Sequence, residues 1–203
     1  MAKKRMLKIG TMFSAFITLV SFLYKATLGV LTMSMVLMVA SLSTLLVFIC
    51  KVIFIRNIMK DREKKKKAYL IMAILLIIFS LLFLLFSVLK VNGIDTSNQK
   101  TYSGAIGSLF ITFIFIMFIL SVIKLKGALS KDDIMVIGLK EMVFVSALTD
   151  LVIIEEFALR IGQNYKEIPD WMNIAHTYFP LGIAALMMLV PIIMIIRFVR
   201  YKA

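Results

Sequence analysis

The chain has 203 residues, 62% hydrophobic and only 17% charged, where a soluble domain runs to roughly 45–50% apolar and about 25% charged. That balance excludes an ordinary soluble domain. The net charge of +13 does not point to nucleic acid. Its basic residues gather at the flanks of apolar runs, in MAKKRMLK, RNIMKDREKKKK, KLKGALSK and RFVRYKA, as in loops retained on the cytoplasmic face of a membrane. The expected class is an all-α integral membrane protein of the cell membrane, in contact with anionic lipids at its basic flanks. Cys50 is the single cysteine, so neither an intrachain disulfide nor a thiolate metal cluster is expected.

Taken in order, residues 9–50 hold one charge, Lys25. As a helix they would extend about 63 Å, enough for two crossings of a bilayer core of about 30 Å. Spans are expected over 9–24 and 28–50, with the turn near YKATLG, Gly29 as its flexible point and the Lys25 amine reaching the headgroups. The first span is read as a retained helix, since no small-x-small cleavage site precedes Lys25. Residues 60–67 read as a solvated basic linker and 68–89 as the third span. The segment 90–104, polar and rich in turn formers, reads as an exposed outer loop. A fourth span is expected over 105–123. The fifth is placed at 142–160, because a start near Ile134 would bury Lys140 and Glu141 at about 2.5–3.5 kcal/mol per charge. The sixth, 171–196, follows the helix-start pair Pro169–Asp170 and contains Pro180 and Pro191. Tyr165, Trp171 and Tyr178 suit a headgroup belt.

This map puts 18 Lys and Arg on one side and 5 on the other, with Lys140 left open. Such a bias predicts six transmembrane helices in one membrane domain, with both termini cytoplasmic.

The costly residues lie in TDLVIIEEFALRIG, where Asp150, Glu155, Glu156 and Arg160 interrupt an apolar helix. Glu155 and Glu156 point about 100° apart, and Glu156 and Arg160 are one turn apart on one face. Asp150 points elsewhere. His176 lies early in the sixth span, and Pro180 removes the N–H that would bond its carbonyl. The candidate polar or ion site is therefore Asp150, Glu155, Glu156, Arg160 and His176, with Lys25 as a cation from the first helix. No other metal or cofactor signature is present in the sequence.

The sequence EEFALR resembles the EExxxR motif of the CPBP family of intramembrane proteases. That resemblance implies paired glutamates, with histidines from other helices, around a reactive water. Met172 stands where the family's second motif has Phe, and no histidine follows His176. In size and number of spans the chain is also similar to the substrate-binding membrane subunits of energy-coupling-factor transporters. Three readings follow: acids that only orient helices, an ion-coupled permease or transporter-accessory subunit working with other membrane subunits, and a protease. The second is the expected function, with Asp150 as proton or cation carrier.

Overall fold

The computed structural model describes residues 2–31, 34–93, 104–129, 133–163 and 169–201, with side chains described except at 2–5, 104–110, 113 and 160–163. Among the described residues all six elements are helices: α1 (Ala2–Leu31), α2 (Met35–Asn57), α3 (Arg62–Val91), α4 (Gly104–Leu129), α5 (Ile134–Gln163) and α6 (Asp170–Arg200). Among them α1, α2, α3 and α6 are long and apolar enough to cross a membrane, which marks the chain as a helical membrane protein. Their outward faces carry large apolar side chains, such as Phe13 and Phe16 on α1 and Ile78, Leu82 and Leu85 on α3. A water-soluble monomer does not present so continuous an apolar surface.

Helices α2, α3, α5 and α6 pack together, with α5 touching each of the other three. Helix α1 lies on α2, and α4 lies on α5. The core is filled by Phe54, Tyr69, Met72, Leu76, Phe83, Met142, Ile153 and Met187. Inside α6, Pro191 has no N–H for the carbonyl of Met187 one turn back. Ser80 of α3 supplies the missing donor, its hydroxyl bonding that carbonyl at 3.3 Å.

Several boundaries differ from the sequence reading, each for an electrostatic or packing reason. Helix α1 does not end at residue 24. It continues through Lys25 and Gly29 to Leu31, because the Lys25 ammonium bonds Asp150 of α5 at 2.6 Å inside the bundle. Gly29 is a contact rather than a hinge: a Cβ there would lie 3.1 Å from the Met38 backbone nitrogen. Ser34 caps α2 instead, its hydroxyl accepting from the Leu37 N–H at 3.4 Å.

Helix α5 begins at Ile134, not Met142, with an Asp133 carboxylate accepting from the Met135 N–H at 3.1 Å. Glu141 is thereby buried, and Arg197 of α6 neutralises it through a direct hydrogen bond. The stretch 60–67 is solvent-exposed over most of its length, as expected, but it is not a linker. From Arg62 onward it is helical; Lys65 pairs with Asp133 at 2.7 Å, and Lys66 donates to the Tyr201 carbonyl at 2.8 Å. Of the expected loop 90–104, Lys90 and Val91 complete α3 and Gly104 opens α4, while 94–103 lie outside the described residues, as does Tyr165. The exposed Trp171 and Tyr178 lie in the first three turns of α6.

Candidate functional site

Helix α5 carries acids at three levels, and each level meets a base from another helix. Nearest its start, Glu141 bonds Arg197 and also accepts from the Tyr69 hydroxyl at 3.1 Å, which joins α5 to α6 and α3. Arg197 donates in turn to the Tyr69 oxygen at 3.3 Å. About 13 Å further along the axis, Asp150 meets Lys25 of α1. One to two turns beyond, Glu155 and Glu156 meet α6 and α3.

That last level is the candidate site. His176 Nδ1 lies 2.5 Å from Glu155 Oε1, and its Nε2 lies 3.5 Å from Glu156 Oε2. Lys90, at the last turn of α3, reaches Glu156 Oε2 at 3.2 Å. The imidazole thus bridges two adjacent carboxylates that would otherwise diverge by about 100° around α5. Glu156 and Lys90 are buried, while Glu155 and His176 are partly so. The second oxygen of Glu155, Oε2, is buried and has no hydrogen-bond partner among the described residues.

Two of the expected site residues do not join this cluster. Lys25 and Asp150 form their own pair, in keeping with the different face on which Asp150 lies. The Arg160 side chain, and with it the expected Glu156–Arg160 pair, lies outside the described residues. Sequence reasoning missed Lys90, having assigned it to an exterior loop. The signal was its position directly after the third apolar run, level with the end of the fifth. The Tyr69–Glu141–Arg197 group was missed because a placement at 142–160 leaves Glu141 outside the helix.

With His176 protonated, two carboxylates face two cations. With His176 neutral, the described members of the group carry one negative charge, and Glu155 Oε2 has no donor among the described residues. One donor atom each from Glu155, Glu156 and His176 lie within 4.8 Å of one another, so the set also has the spacing of a potential cation-binding group, given the 2.0–2.2 Å bonds that carboxylate and imidazole ligands make. No family model, curated protein or solved structure matches this chain.

Proposed function

We propose that the chain is a permease-like protein or transporter-accessory subunit that crosses the cell membrane six times, with both termini cytoplasmic. Its coupling ion, a proton or small cation, is held by Glu155, Glu156 and His176, with Lys90 paired to Glu156 beside them. The lysine and arginine bias of the loops supports the topology, and the apolar outer faces support contact with lipid, anionic at the basic flanks. The observation that carries the reading is that Glu155, whose Oε1 lies 2.5 Å from the His176 imidazole, keeps its Oε2 buried and without a partner among the described residues. A buried acceptor without a donor is costly, and such groups are kept where a proton or ion visits them. The carrier is Glu155 rather than Asp150, whose charge Lys25 already balances.

In proteoliposomes holding a pH-sensitive dye, a gradient of the right solute, drawn from a panel of amino acids, carboxylates and cations, drives proton movement in the wild-type protein. Glu155→Gln abolishes that movement, and Asp150→Asn lowers it less. Wild-type vesicles silent across the whole panel, or a flux untouched by Glu155→Gln, would contradict the reading.

The grouping of Glu155, Glu156 and His176 also favours a second reading, the protease implied by the EExxxR resemblance. Against it, Lys90 engages Glu156 and the sequence offers no second histidine. Cleavage of a membrane peptide in the same vesicles, lost in Glu155→Gln, would move the assignment there.

A further inference from the structure

Away from the carboxylate cluster, a cleft of about 220 Å³ lies between α1 and α4, with α2 and α5 as its floor. Among the described residues α1 and α4 do not pack on each other, so the gap between them is left open by the helix arrangement. Its volume falls below the ~300 Å³ at which pockets for drug-sized ligands begin. The occupant it fits is a small molecule or a single headgroup.

Charge decides the kind of occupant. Lys25, Asp150 and Lys51 all line the cleft, together with the hydroxyls of Thr18, Ser121 and Ser146. Lys25 and Asp150 balance each other. Lys51 is only 8% exposed, and three uncharged oxygens hold its ammonium: the Ser14 carbonyl at 3.1 Å, the Ser14 hydroxyl at 2.7 Å and the Thr18 hydroxyl at 2.5 Å. Among the described residues no carboxylate pairs with it. Lys124 and Lys140 are near enough to repel its charge further. A buried ammonium is normally paired with an opposite charge, and every other buried lysine described here, Lys65 and Lys90, has its carboxylate. The lining is therefore one negative charge short.

We propose that this cleft binds a singly charged oxyanion, a carboxylate or a phosphodiester, with its charge against the Lys51 ammonium and one of its oxygens taking an ammonium N–H now spent on a Ser14 or Thr18 oxygen. The site uses none of the groups assigned to ion coupling, and it stands or falls by binding alone, whether or not the protein transports anything.

The test is thermal unfolding of the full chain in nanodiscs, at constant ionic strength maintained with chloride. One arm adds acetate to phosphatidylcholine discs; the other replaces part of that lipid with phosphatidylglycerol. A saturable rise of a few degrees in the acetate arm supports the site with a free anion as ligand, and a rise confined to the phosphatidylglycerol arm supports it with a lipid headgroup. In either case Lys51→Arg keeps the rise and Lys51→Met loses it. Should Lys51→Met fail to fold, Ser121→Leu, which fills the cleft and leaves Lys51 and its oxygens in place, loses the rise instead. No rise in either arm for the wild type, or an equal rise in Lys51→Met or Ser121→Leu, overturns the proposal.

Discussion

Gly138 has no room for a methyl group on α5: a Cβ there would fall 2.7 Å from Cδ2 and 2.9 Å from Cε2 of the Tyr69 ring. Tyr69 is fully buried, and its hydroxyl is tied to Glu141 and Arg197, so the ring cannot step aside without breaking those bonds. Gly138→Ala is expected to destabilise the protein by about 1–3 kcal/mol, the usual cost of overpacking, and unfolding in mixed micelles measures it. A fall below about 0.5 kcal/mol would mean that the ring has freedom the packing denies it. The same group explains why burying Glu141 is tolerated. Removing one partner of a buried ion pair typically costs ~3–5 kcal/mol because the other charge is left behind, so Glu141 and Arg197 hold each other in place more than either holds the fold.

At the level of elements, α6 depends on a neighbour to complete its hydrogen bonding. Pro191 deprives the Met187 carbonyl of its donor, and Ser80 of α3 replaces it across the helix interface. Ser80→Ala is expected to cost about 1 kcal/mol. In a Pro191→Ala background, where the helix supplies its own N–H, the same change costs clearly less. Equal costs in both backgrounds, measured by the same unfolding assay, would show that Ser80 does not serve that carbonyl. The helical class was plain from the sequence, since apolar runs of bilayer length leave little else to form. The limits of α1 and α5 were not, and for one reason. In setting the helix limits, Lys25 and Glu141 were weighed as lone charges, each costly enough to end a span, although Lys25 was also named as a cation for the acidic site. Their partners, Asp150 and Arg197, lie 125 and 56 residues away. Local patterning carries no sign of a pairing at that distance, so the reading ended helix 1 too early and began helix 5 too late.

Across the whole molecule, α5 works as an acidic spine. Its carboxylates draw a base from α1, from α3 and from α6, which gives a bundle with apolar outer walls a specific set of internal registers. The lysine of α2 is the exception, since among the described residues Lys51 meets only neutral oxygens. The candidate site was legible in part. Glu155, Glu156 and His176 stood out because each is expensive in an apolar run, and one imidazole serves both acids. Lys90 did not, because a lysine at the end of a span is ordinary until the level of its neighbours is known.

The claim beneath this account is that α5 and α6 meet through Glu155 and His176. A double-mutant cycle with Glu155→Gln and His176→Gln, followed by reversible unfolding in mixed micelles, tests it most directly. The account predicts a coupling of about 1–3 kcal/mol between the two changes, as for residues in direct contact within one network. Losses that add to within about 0.3–0.5 kcal/mol, the behaviour of independent sites, would contradict it.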